Sequence, residues 1–561
     1  MSINCQYDVM SYPFQLRDTP GQVTVEAMLQ LPPDAPRLRA IVGGDALVEP
    51  PRLTIMEGGV IVSGRIYPHL IYLAEEALEA DERLAFGAEA EGDDNAAQWS
   101  PPQEYGIGWR DEDDLIYETQ INVPGLRPEM MVEADLVTAV SSFERDSDNR
   151  VTLRCQIELM VHAAEYRSAG IIGNLSPAPS ERINVTRDQV RIEEPAGIRR
   201  EAMTVQAPLM LPNLKPGVAR VLKQNIRPVG VTWEQGRGKI TVKGFLEVAM
   251  IYVGSDDEGR PSEIFTSEWQ RITGNAIPFE TALDFEDLEA GMIVLPRVMI
   301  VRADLERISY RELRAAMRIE VEVKVSRVRT REMVVEVTPG SNEVLDTQKH
   351  LLETEEYFGE SAGETELDLV VNLPFGLPGM ERVLGWTGQL GGVSLEAADG
   401  KVLLEGKLYL QAVYTPDVPG ENRLAVAEWG GANGTELPVA GVIDSAGMAP
   451  GMMLRSYAGL ENLNLEMTGD RSLRLTGILK VRIFARTPRA IMVMRDCALV
   501  PPVDPATRPS MLFYVVQSGD TLWKVARRYQ TTTEQLARTN QILDPERIES
   551  GQKLLIPKPA S

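Results

Sequence analysis

Three histidines, three cysteines and 82 carboxylates are the groups in this 561-residue chain that could bind a metal, attack a carbonyl or move a proton. His69, His162 and His350 are too few and too scattered for a zinc site or a catalytic triad. His162 closes a long strand and reads as a surface or edge residue. Cys5, Cys155 and Cys497 lack metal-ligand spacing. An odd, sparse set of this kind fits a reducing cytoplasm and not a disulfide framework. Gly106-Ile-Gly108 lacks the third glycine and the helix of a dinucleotide fingerprint, and neither GxSxG nor GxxxxGK[ST] occurs. With so many acids, no single carboxylate pair is informative. Trp109, Trp233, Trp269, Trp386 and Trp429 read as core or strand-pairing residues, not sugar platforms. The sequence thus predicts no catalytic residues, no metal and no cofactor, and turns the question from chemistry to binding.

The stretch that speaks for binding is the tail, Tyr514-Val-Val-Gln-Ser-Gly-Asp-Thr-Leu-Trp-Lys-Val-Ala-Arg-Arg-Tyr529, closing on Gly551-Gln-Lys-Leu-Leu-Ile-Pro557. Leu512 to Val516 is a short apolar strand. Ser518-Gly519-Asp520 is a turn, with Asp520 placed to cap a helix. Leu522, Val525, Ala526 and Tyr529 then form the i, i+3, i+4, i+7 stripe of an amphipathic helix. Thr532 and Gln535 have capping-box spacing and open a second helix. Leu554 to Ile556 is a strand stopped by Pro557. The order is strand, helix, helix, strand, a small α+β unit.

In its YxVxxGDTLWxxA stretch, its Asn540 and its GQxLxIP close, this segment is similar to the LysM family over the family's full length. The resemblance implies a two-stranded antiparallel sheet with both helices on one face, and a groove between two loops for N-acetylglucosamine-type ligands. Carried over, the loop residues are Gly519, Asp520, Thr521 and Leu522 on one side and Ile542, Leu543 and Ile548 on the other. Leu522 by itself reads as core, and Asp520 as a cap.

The elements before the tail repeat three times. Leu31-Pro32, Pro36, Ile41, Gly64 and Tyr72 recur as Leu211-Pro212, Pro216, Val221, Gly244 and Tyr252. They recur again as Leu373-Pro374, Pro378, Val383, Gly406 and Tyr414. The Leu-to-Gly spacing is 33 and the Gly-to-Tyr spacing 8 in every copy. The glycine lies mid-strand, which marks a bulge or a close backbone crossing. Each copy ends in a long alternating strand, over 150–161, 312–325 and 471–484, the pattern of a half-buried antiparallel strand. The body is therefore mainly β: three repeated sandwich or open-barrel domains over 1–175, 180–332 and 340–500, then a linker at 501–511 and the tail unit at 512–558. Copy one carries an acidic insertion at 75–118, read as a solvated loop or a docking patch for a basic partner.

The threefold pattern of LPxxxP, Gx[IL]xxxxxY and a late long strand resembles the SPOCS (spore-coat-associated) domain. Three such domains before one LysM resemble the SipL/SpoVID-like family of spore-coat morphogenesis proteins. That resemblance implies a mother-cell cytoplasmic protein at the forespore outer membrane, binding a SpoIVA-like coat ATPase and other coat proteins. Net charge is −25, split as +2 over 511–561 and −27 elsewhere, which argues against nucleic acid. The N-terminus shows no export signal and no run is long enough for a transmembrane segment. The expected function is a coat-assembly scaffold. The alternatives are LysM-mediated binding of peptidoglycan or its N-acetylglucosamine-containing precursors, and a muralytic hydrolase with an unrecognised catalytic domain.

Overall fold

A computed structural model describes residues 4–557 apart from 17, 76–102, 110–114, 177–182, 257–259, 340–343, 418–422, 431–434, 501–508 and 510. Most of the expected acidic insertion and of the linker falls outside the described residues. The body is strand throughout. Copy one contains β1 (Asn4–Gln15), β2 (Thr19–Gln30), β3 (Leu38–Val48), β4 (Arg52–Met56), β5 (Gly59–Ala74), β6 (Glu104–Gly108), β7 (Ile116–Asn122), β8 (Met131–Arg145) and β9 (Arg150–Ser176). Copy two contains β10 (Ile183–Met210), β11 (Gly217–Gln235), β12 (Lys239–Ser255), β13 (Pro261–Trp269), β14 (Ile277–Asp284), β15 (Ile293–Arg307) and β16 (Glu312–Pro339). Copy three contains β17 (Val344–Asn372), β18 (Met380–Ala398), β19 (Lys401–Pro416), β20 (Ala425–Trp429), β21 (Leu437–Asp444), β22 (Met453–Gly469) and β23 (Ser472–Val500). Part of the span expected as insertion, β6 and the start of β7, is thus repeat structure equivalent to β13 and β14.

Each copy is a sandwich of two antiparallel sheets. In copy two, β16 lies between β10 and β15, while β12 lies between β11 and the pair β13 and β14. Alternate residues of β16 (Leu313, Ala315, Met317, Ile319, Val321, Val323) are fully buried against Ile240, Val242, Leu246 and Val248 of β12. That alternation is the period-two pattern of the sequence made physical. All strand pairings among the described residues join strands of the same copy.

The repeat marks turn out to be joined to one another. The hydroxyls of Tyr72, Tyr252 and Tyr414 donate to the carbonyls of Pro36, Pro216 and Pro378, so the LPxxxP turn is tied to the central strand in every copy. The indoles of Trp109, Trp269 and Trp429 donate to the carbonyl of the residue that ends the first long strand, Gln30, Met210 and Asn372. The mid-strand glycines face bulges: Gly244 is opposite the register break at Val229/Thr232, and Gly406 opposite the break at Gly391/Ser394. Copy one has the gap between β3 and β4 at the same place. The close approach there comes from an aromatic ring. A Cβ on Gly64 would fall 2.6 Å from Tyr117, and one on Gly244 2.7 Å from Phe279.

The long strands do more than close the sandwiches. Their far halves leave as two-stranded ribbons (β1/β9, β10/β16, β17/β23), and the three ribbons pack on one axis around Met10, Tyr12, Ile171, Ile192, Met333 and Val493. The second sheets meet on the same axis through Ile71, Ile251 and Val413, which occupy equivalent positions of the three copies. The body is therefore a pseudo-threefold ring. The tail is a unit with its own core: β24 (Leu512–Val515) pairs with β25 (Lys553–Ile556), and α1 (Leu522–Arg528) and α2 (Thr533–Thr539) lie between them in sequence. Among the described residues no helix is long and apolar enough to cross a membrane.

Candidate functional site

The tail builds its groove from short, firmly capped pieces. Ser518-Gly519 turns the chain after β24, with Gly519 at φ +87°, a conformation that glycine adopts without strain. Asp520 does not cap α1, as the sequence suggested. Its carboxylate accepts from Gln517 N at 2.8 Å and from the Tyr514 hydroxyl at 2.5 Å, closing the turn instead. Burial and that bond raise the Tyr514 pKa. Thr521 is the N-cap, its hydroxyl accepting from Lys524 N. One residue decides this: Asp520 is one position too early to reach the first orphan amides once it is committed to the turn. Thr532 caps α2 through Gln535 N, as the spacing indicated. Asn540 ends α2 and fastens it to β25. Its amide donates to Leu536 O and Leu555 O, and its oxygen accepts from Leu555 N at 2.6 Å.

The structure brings the two loops together on one apolar cluster, in which Leu522 is buried and Ile542 and Ile548 are half-buried. Leu522 is 1% exposed, so its side chain belongs to the core. Gly519 and Thr521 are exposed, Asp520 half-buried, and Leu543 stands fully in solvent at 101% exposure. Lys524 Nζ donates to Gly519 O across the first loop. Sequence reasoning missed Trp523. It is exposed, with the Arg527 guanidinium 4.8 Å from its ring centroid. The signal was present, since Trp523 is one step off the buried stripe of Leu522, Val525, Ala526 and Tyr529 and must face outward.

His162, Cys5 and Cys497 are engaged in structural contacts. His162 is not an edge residue. Its side chain is 17% exposed and lies between Asp18 at 2.9 Å and Asp135 at 3.4 Å. Burial opposes its charge, yet the bonds to Asp135 and Asp18 win and push its pKa up to about 9. Cys5 and Cys497, 492 residues apart in sequence, meet where the first and third ribbons pack: the Cys5 thiol donates to the Cys497 carbonyl at 3.4 Å. Burial raises both thiol pKa values, that of Cys497 to about 11. Among the described residues no group of three or more His, Cys, Asp or Glu is arranged to hold a metal.

Residues 514–557 match the model of the LysM domain family. The cortical fragment-lytic enzyme of Bacillus subtilis (strain 168) is 45% identical over 47 residues, which is 8% of this chain and 11% of that enzyme. The likeness therefore covers the LysM segment, and the chain spans about a tenth of that relative's length. No solved structure matches the chain. The tail is a LysM domain, a module of the kind that binds N-acetylglucosamine glycans such as peptidoglycan.

Proposed function

We propose that the chain is a non-catalytic spore-envelope assembly protein, in which a threefold β ring carries a LysM domain that holds N-acetylglucosamine-containing glycan. The observation that carries this reading is the LysM groove, with Gly519, Thr521 and Leu543 exposed at its rims over a buried apolar floor. The exposed glycine turn lets a ligand's acetamido group approach the backbone, and half-buried Ile542 and Ile548 suit the apolar face of a sugar. A spore-envelope setting fits the likeness of this segment to an enzyme named for lysing cortical fragments. Co-sedimentation of the full chain with purified peptidoglycan tests the reading. Wild type should pellet with the glycan and L543D should remain in the supernatant; equal pelleting of both would overturn the groove assignment.

A second reading keeps the same surface and changes its occupant. Exposed Phe513, Trp523 and Leu543 form an unusually apolar exterior for so small a domain, and such a surface suits a protein contact, here a SpoIVA-like coat ATPase at the forespore outer membrane. In this reading the three repeats are SPOCS domains and the protein works in the mother-cell cytoplasm. A pulldown with the coat ATPase in the presence of excess chitin oligomers separates the two: retention unaffected by oligomer favours the protein contact, and displacement or no retention favours the glycan.

A further inference from the structure

The three copies leave a cleft of about 630 Å³ on the ring's axis, lined by side chains from all three. That is the volume range of small-molecule sites. Equivalent positions on three neighbouring strands of each copy form a row, and all of these residues but Ala249 and Glu268 line the cleft. The rows are Asp45, His69 and Gly108; Asn225, Ala249 and Glu268; and Thr387, Gln411 and Glu428. The contrast with the repeat marks is informative. Where the fold needs a residue, as at the three Tyr–Pro bonds, all copies supply it. At the cleft, no row repeats.

The charged groups of the cleft are matched except Glu428, which among the described residues forms no ion pair, accepts from Gln411 and has its pKa raised by burial. Lys223 is buried, its ammonium 2.9 Å from Asp45 and donating to Gln411. Burial opposes ionisation of Asp45, but Lys223 and His69 hold its pKa down. Arg302 pairs with Asp304 at 2.8 Å, and Arg227 with Glu247 at 2.8 Å. Gln411 is fixed by the Gly44 carbonyl at 3.0 Å and by Glu428 at 2.7 Å. Burial favours the neutral form of Glu428, and the other open groups are uncharged. The side chains of Ser141, Asn225, Thr387 and Gln389 line the cleft and have no hydrogen-bond partner among the described residues. Each of them both donates and accepts. Trp386, Tyr67 and Tyr409 supply aromatic surface beside them.

We infer that this cleft binds a small neutral, hydroxyl-rich ligand of the sugar class. Compensated charges offer nothing to a net ion, since a buried unpaired charge is costly. Free hydroxyl and amide groups match a ligand whose groups also donate and accept, and aromatic rings cover its C–H faces. The site is separate from the LysM groove and does not rest on that domain's role.

The test is saturation-transfer NMR on the full chain with four probes: glucose, N-acetylglucosamine, cationic glucosamine and anionic glucuronate. The neutral sugars should bind saturably below about 50 mM, and the charged ones more weakly. Binding of glucose should survive L543D in the LysM groove. It should weaken at least about tenfold in N225A/T387A. T387V, which keeps side-chain volume, should lose affinity in the same direction with unchanged melting. Glucose binding that is absent below that limit, that survives N225A/T387A, or that is no tighter than binding of the charged sugars would overturn the assignment.

Discussion

Gly244 and Gly406 hold the same position in two copies, yet substitution should not cost the same. A methyl on Gly244 would enter the Phe279 ring at 2.7 Å, whereas one on Gly406 meets nothing nearer than Val393 at 3.5 Å, an ordinary van der Waals contact. The difference arises across the strand, where Gly244 faces Phe279 and Gly406 faces Val439. G244A should therefore destabilise by about 1–3 kcal/mol through overpacking, while G406A stays within about 1 kcal/mol. Urea midpoints of the two variants would check this; equal losses would mean that the glycine serves the bulge and not the aromatic ring. His162 gives the residue scale its pH dependence. Its folded pKa of about 9 lies above the usual 6.5. Its contribution is thus fully present below about pH 6.5 and lost as pH rises through 9, on the order of 2 kcal/mol after allowance for partial exposure. Wild type and H162Q should differ in unfolding midpoint at pH 6.5 and converge near pH 10. A constant gap would contradict the ion-pair account.

At the scale of elements, the LysM unit depends on Asn540 more than its size suggests. One side chain makes three bonds that tie the end of α2 to β25. N540A should cost the domain about 1–3 kcal/mol, because the half-buried N–H and C=O of Leu555 both lose their side-chain partner. The ring's own transition should stay in place, and calorimetry resolves the two. Much at this scale was legible in the sequence. The alternation of β16, the mid-strand glycines and the Tyr252–Pro216 spacing all follow from local rules. The capping of α1 did not, because Asp520 and Thr521 are both good caps and only the turn decides between them. Nor did the length of β10 and β17, whose far halves carry alternation that packs on other copies; a single repeat gives no reason for that alternation. Trp386 read as core, and it does pack on the core of copy three, but it also lines the axial cleft. That cleft exists only once three copies close.

The whole molecule has a built-in order. In six ion pairs between copies the acid comes from the earlier copy and the base from the later one. They are Asp45–Lys223, Asp135–Arg297, Glu133–Lys324, Glu133–Arg455, Glu193–Arg486 and Asp188–Arg489. Three similar domains could close in the wrong register, and one-way charge pairing disfavours that, a use of partly buried ions that gives specificity in place of net stability. Glu133 touches both other copies, so E133Q should cost about 3–5 kcal/mol by leaving Lys324 and Arg455 short of a partner; chemical denaturation measures it, and a loss below about 1 kcal/mol would place the specificity elsewhere. In the proposed function the ring carries the LysM domain and the LysM domain binds the glycan. The direct test is calorimetric titration of the full chain with the N-acetylglucosamine tetramer. The expected result is saturable binding that L543D weakens at least about tenfold without changing the melting of the ring. Binding equal in both proteins, or none in either, would contradict it.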